Sequence, residues 1–339
     1  MVVDLKKKAL WPGLFSCLTN SVKLSTIDVA KDVLKEYGGA MRFEYREVSD
    51  GISIDAVYGD IGEVVIPDMI DGKPVREISA YAFSGKDINP DYGDGIEFRL
   101  AGDVLKSVTL PDTLEKIGEL CFYQCYDLKS ISLPNTAIEI GSDAFMNCKK
   151  LYTLFIRGSV KEPSSLRQIL LQRTSATDVW FDDAAIHFSE YSEKYDLIGP
   201  AHIFELNIEG EGFRARKCFD GDVFDVGMYD TVFEKAKDTE DEKTLCKTAA
   251  LRLSRPAGLT DEIKESYLDY LLSHMDVYLD DVIKHSDLSL IEGLGREGFL
   301  SDETVAIALK KMTAARWTEG VAKLLAWKSE WGKCNLCVM

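Results

Sequence analysis

Four features of this chain combine residue types and spacings that chemistry could use. Gly293-Leu294-Gly295-Arg296-Glu297-Gly298 reproduces the G-x-G-x-x-G pattern letter for letter. A dinucleotide site needs a buried strand running into those glycines and a helix opening within them. Here residues 288–291 lie between helical stretches and the next helix begins at Ser301 or Asp302, so the expectation is a turn between helices. Asp87, Asn89, Asp91 and Asp94 place side-chain oxygens along a short loop, as calcium loops do. Tyr92 stands where such loops need glycine, and Glu97 comes one place early for the closing ligand, so the reading is a solvated acidic loop with calcium as the alternative. Cys334-x-x-Cys337 is half a zinc site without a second half, and Cys337 is one place off for a prenylation box. His187, His202, His274 and His285 fall in no pattern that pairs them with a nucleophile, and no P-loop, nucleophile elbow or HExxH occurs. No catalytic residue, metal ligand or cofactor is assigned.

What remains is a surface, and a repeat defines it. Leu105, Val108, Leu110, Pro111, Ile117, Gly118, Phe122 and Cys125 recur as Leu128, Ile131, Leu133, Pro134, Ile140, Gly141, Phe145 and Cys148, each 23 residues on. A third copy opens at Leu151, Leu154 and Ile156, and a stretched one precedes them from Ile61 to Phe83. Such a period marks a solenoid whose turns bury apolar residues against their neighbours. The apolar-x-x-apolar-x-apolar segment reads as a strand, which the following proline ends. The Ile-Gly pair is expected to turn the chain, and the phenylalanine to fill the core under the next strand. Cys125 and Cys148 share a column and read as stacked buried thiols, with a redox pair as the alternative. Between the core positions, outward residues form one column of Glu63, Ser107, Ser130 and Thr153, and a second of Val65, Thr109, Ser132 and Phe155. These eight are the candidate binding residues; they are mostly small and hydroxylated, and Phe155 is the candidate anchor.

The repeat resembles the BspA-type leucine-rich repeat, whose units read roughly L-x-x-I-x-L-P and then I-G-x-x-A-F-x-x-C. Gly141, Ala144, Phe145 and Cys148 fit it directly; Cys121 replaces the alanine one unit earlier, and Ser79 replaces the glycine in the first. The resemblance covers about a hundred residues. It implies a bacterial repeat protein with a solenoid fold, in a family that includes surface adhesins.

The expected class is α+β: a short solenoid at 59–160 with an N-terminal helix and capping hairpin at 1–58, a mixed region at 161–237, a helical array at 238–332 and a tail. A helix is read at 25–37 and strands at 43–48 and 52–57 around Asp50-Gly51. In the mixed region the expectations are a helix at 163–173, a strand at 179–181, and a hairpin of 204–208 with 213–216. Helices follow at 242–254, 262–274, 277–285, 302–314 and 318–328, a pattern that loosely resembles ankyrin-like arrays without their signature. An insertion at 84–104 leaves open whether it binds a ligand.

The chain's 57 acidic and 40 basic residues give a net charge of −17, which disfavours nucleic acid and anionic membranes. No apolar run is long enough to span a membrane. Eight cysteines spread over 339 residues make no disulfide framework, which favours a cytoplasmic location. Lys6–Lys8 before an apolar stretch faintly resembles an export leader, but Pro12 and Gly13 interrupt it. The expectation is therefore a non-catalytic scaffold with a protein partner. The alternatives are an exported adhesin and an enzyme with a site in 160–240.

Overall fold

The structure, a computed structural model, describes residues 41–59, 61–86, 98–136, 138–197, 204–286 and 288–334. The helix read at 25–37, the leader-like stretch, the calcium-like loop, Cys17, His202 and Cys337 lie outside the described residues.

The fold is α+β, a β-solenoid followed by helices. A hairpin of β1 (Arg42–Val48) and β2 (Gly51–Gly59) leads into it. The strands that follow are β3 (Glu63–Val65), β4 (Met69–Ile70), β5 (Lys73–Ile78), β6 (Phe98–Arg99) and β7 (Ser107–Thr109). Next come β8 (Lys116–Ile117), β9 (Ser130–Pro134), β10 (Glu139–Ile140), β11 (Thr153–Arg157), β12 (Thr177–Trp180) and β13 (Ala185–Phe188). They build two sheets. In the first, β3, β7, β9, β11 and β12 run parallel and β13 closes the end antiparallel. In the second, β2, β5, β8 and β10 run parallel, with β1 on the outer side of β2.

Between the sheets lies one continuous core. Val64, Val108, Ile131, Leu154 and Val179 point into it from the first sheet, and Ile78, Ile117 and Ile140 from the second. Phe83, Phe122 and Phe145 stack at its centre, with centroids 5.1 and 5.4 Å apart and planes within 9°. Beside them the cysteine column is a hydrogen-bond ladder: Cys125 Sγ donates to Phe83 O and Cys148 Sγ to Phe122 O, each at 3.0 Å. Each thiol thus satisfies a buried carbonyl one turn away, which supports a structural role.

The Ile-Gly pair does not turn the chain. Its isoleucine ends a two-residue strand of the second sheet, and the glycine allows adjacent turns to touch. A Cβ on Gly118 would stand 2.2 Å from Ala80 N, and one on Gly141 2.3 Å from Glu119 N. Where β2 takes the place of a neighbouring turn, Ser79 is accommodated instead, its hydroxyl bonded to Ser53, Asp55 and Arg46. The left-handed residues come two places later, at Leu120 (φ 51°) and Asp143 (φ 54°). Aspartate and asparagine enter that region readily, whereas leucine pays roughly 1–2 kcal/mol. Leu120→Asn should therefore raise stability by about 1 kcal/mol, read as a higher urea midpoint; an unchanged or lower midpoint would refute the argument.

A short helix, α1 (Leu166–Leu170), closes the open edge at β10, and it is shorter than the 163–173 expected. Ser165 Oγ accepts from Ile138 N (2.7 Å), Gln168 Oε1 accepts from Ile140 N (3.1 Å), and Gln172 Nε2 donates to Gly141 O (3.0 Å). Three side chains, one on this helix and one beyond each of its ends, thus replace the missing next strand.

The hairpin expected after residue 200 pairs differently. β14 (Ser192–Leu197) pairs with β15 (Phe204–Glu209), and 213–216 is not a strand. Instead α2 (Gly212–Ala215) is a helical turn. Gly212 packs so close that a Cβ would meet Ser189 O at 2.0 Å. Arg216 then folds inward to donate to the carbonyls of Ser189, Gly212 and Ser175. A small hairpin of β16 (Phe219–Asp220) and β17 (Val223–Phe224) follows.

The remaining helices are α3 (Val226–Ala236), α4 (Glu242–Ser254), α5 (Asp261–Ser273), α6 (Met275–His285), α7 (Ser289–Arg296), α8 (Asp302–Ala314) and α9 (Thr318–Cys334). Asp225, Asp241, Thr260 and Ser301 cap α3, α4, α5 and α8 through their side chains. Helix α4 sits centrally, packed on α5, α6, α7 and β13. The G-x-G-x-x-G stretch is not a turn: Gly293 and Gly295 lie within α7, and Gly298 (φ 78°) follows its end. A Cβ on Gly293 would press to 2.7 Å from Ser254 Cβ, so this glycine allows α7 to approach α4.

Candidate binding face

The eight outward residues chosen from the sequence lie on one sheet in two straight columns. Parallel register aligns Glu63, Ser107, Ser130 and Thr153 across β3, β7, β9 and β11, and Val65, Thr109, Ser132 and Phe155 beside them. β12 extends both: Asp178 continues the first column and Trp180 the second. Sequence reading missed these two, because β12 follows β11 by 25 residues and lacks the proline signature. Val65, at one end, is 49% exposed, while the hydroxyl residues are half-buried among their neighbours.

Ion pairs border the face at both ends of its strands. Asp127 receives Lys106 Nζ at 2.7 Å and Lys150 Nζ at 2.6 Å. Hydrogen bonds from Lys106 and then Lys150 hold its carboxyl low, at about 2. At the other border Arg157 Nη2 donates to Asp112 Oδ1 at 2.8 Å and to Leu110 O at 2.7 Å, while Nη1 donates to Ser132 Oγ at 2.7 Å. Ser132 is therefore engaged within the protein, which sets it apart from Thr109 and Ser130.

The helical half touches the face at its last strands. Lys247 Nζ on α4 lies 2.6 Å from Asp178 Oδ2, and His187 Nδ1 lies 2.6 Å from Asp178 Oδ1. Burial alone would push the Asp178 carboxyl up, but Lys247 and His187 outweigh it and hold it below its ordinary value. The Arg255 guanidinium sits 5.3 Å from the Trp180 ring centroid.

The three described histidines do not form a nucleophile pair. His187 bonds to Asp178, His274 Nδ1 to Tyr270 O and His285 Nδ1 to Asp281 O. Among the described residues, no group of three or more His, Cys, Asp or Glu side chains could hold a metal ion. No helix among them is long and apolar enough to cross a membrane.

These observations define a β-solenoid with stacked phenylalanine and cysteine columns and one parallel outward face. Residues 98–186 match the family described as BspA type Leucine rich repeat region (6 copies), and the solenoid is of that kind. Among solved structures, the T. pallidum leucine rich repeat protein is similar at 31% identity over 34% of this chain and 50% of its own, with a TM-score of 0.27. A leucine rich cell surface protein from Faecalibacterium prausnitzii is similar at 24% identity over 34% of this chain and 28% of its own, with a TM-score of 0.26. The matched region thus spans half or less of these neighbours. No curated protein matches the chain.

Proposed function

We propose that this chain is a non-catalytic protein-interaction scaffold that takes a protein partner on the outward face of β3, β7, β9 and β11. The observation that carries the reading is the pair of in-register columns, whose centre is small and hydroxylated and of which the second ends in two aromatics. A partner's backbone could approach the centre closely, Phe155 and Trp180 supply large apolar area, and the ion-paired borders provide a polar rim. The match of residues 98–186 to a BspA-type leucine-rich repeat family supports the same reading. An exported adhesin would use the same face. The free, buried thiols of Cys121, Cys125, Cys148, Cys218 and Cys246 favour a cytoplasmic scaffold.

The test is paired affinity capture with wild type, a Thr109→Arg/Ser130→Arg variant and a Glu139→Arg control on the opposite sheet. Partners should be lost from the face variant and retained by the control. Identical partner sets for all three, with unchanged melting temperatures, would overturn the proposal.

A further inference from the structure

Where the face ends, a cleft begins. It is open at its mouth and lies between β13, α2, α3 and α4. His187, Ser189, Glu211, Tyr229 and Glu240 contribute polar groups to its lining, and Val232, Phe233 and Leu245 contribute an apolar wall.

The polar groups are mostly acceptors. Glu211 is 6% exposed; its Oε1 takes the Arg214 guanidinium, while its buried Oε2 has no partner. Glu240 Oε1 accepts from Ser189 Oγ at 3.0 Å and from Glu211 N at 2.7 Å, which fixes that carboxylate beside the first. His187 presents Nδ1 to Asp178, so in the neutral ring Nδ1 carries the proton and Nε2 is an acceptor. A buried carboxylate oxygen without a donor is costly, so this arrangement is complete only when a donor arrives.

The chemistry of that donor is constrained. An anion would meet two carboxylates. A neutral apolar molecule would leave Glu211 Oε2 unpaired. Metal-ligating groups of three or more do not occur among the described residues. An ammonium group carries three donors and one positive charge, which matches two carboxylates.

We propose that this cleft binds a small primary amine, its ammonium held by Glu211 and Glu240 and its short carbon body lying against Val232, Phe233 and Leu245. The inference does not rest on the reading of the sheet face, because it is tested without any protein partner.

The experiment titrates the full chain with n-butylammonium, and separately with butyrate and 1-butanol, by calorimetry and saturation-transfer NMR. Butylammonium should bind saturably, the other two should neither bind comparably nor displace it, and Glu211→Gln should weaken it about tenfold, the worth of one charge-assisted hydrogen bond. Glu240→Gln, whose amide oxygen still accepts from Ser189, should weaken it in the same direction. The comparison of three probes on wild type stands whether or not either variant folds. Absence of saturable butylammonium binding, equal binding of butyrate or 1-butanol, or unchanged affinity in a folded Glu211→Gln protein would overturn the proposal.

Discussion

Asp230→Ala should cost about 3–5 kcal/mol of stability, because it strands a buried guanidinium without its counter-ion. Arg252 and Asp230 have side-chain exposures of 0% and 1%, and their contact is bidentate, Nε to Oδ1 at 2.8 Å and Nη2 to Oδ2 at 2.9 Å. Tyr267 OH is the carboxylate's third donor, to Oδ1 at 2.8 Å, so one carboxylate joins α3, α4 and α5. The position matters as much as the pair. On α3, Tyr229 belongs to the solenoid core and Phe233 to the helical core, with Asp230 between them in sequence. Loss of the anchor should therefore loosen both cores. Urea melts of Asp230→Ala and of Asp230→Leu/Arg252→Met would check this. The single variant should lose most, and the double variant should recover much of the loss, since paired apolar residues leave no buried charge. A single-variant loss below about 1 kcal/mol would place the pair with weak surface bridges and contradict the account.

Phe122→Ala should cost a similar amount, about 3–5 kcal/mol, the usual range for a buried phenylalanine. Phe122 has no solvent exposure and stacks on both Phe83 and Phe145, so truncation opens a cavity in mid-solenoid and removes two ring contacts. Each such contact is worth roughly 0.5–1.5 kcal/mol beyond burial. Phe145→Ala loses one stacking partner and should cost less. Thermal melts of the two variants would show this order; equal or reversed costs would mean that the ladder contributes little beyond volume.

The solenoid was legible because a strict 23-residue shift makes register a matter of counting. Ser107, Ser130 and Thr153 are aligned by the same spacing that reveals the repeat. Helices α4 and α8 were legible too, with ends marked by Asp241 and Ser301 before their apolar faces. In the second sheet the β1–β2 hairpin was legible but β8 and β10 were not, since two-residue strands show no alternation and their glycines resemble turn residues. Helix α3 was missed although its buried Tyr229, Phe233 and Ala236 stand at i, i+4 and i+7 on one face, a stripe that the two cores share. The cleft was invisible for another reason. Its carboxylates and histidine come from 187, 211 and 240, which share no motif and meet only after β13, α2 and α4 pack together.

The central claim, that the columned sheet face meets a partner, is tested most directly by site-specific photo-cross-linking in the presence of the captured protein. One photoreactive side chain would replace Ser130, at the middle of the first column, and another would replace Glu139, on the opposite sheet. The account predicts a cross-linked complex from position 130 and none from position 139. A cross-link from 139 alone, or equal yields from both, would contradict it.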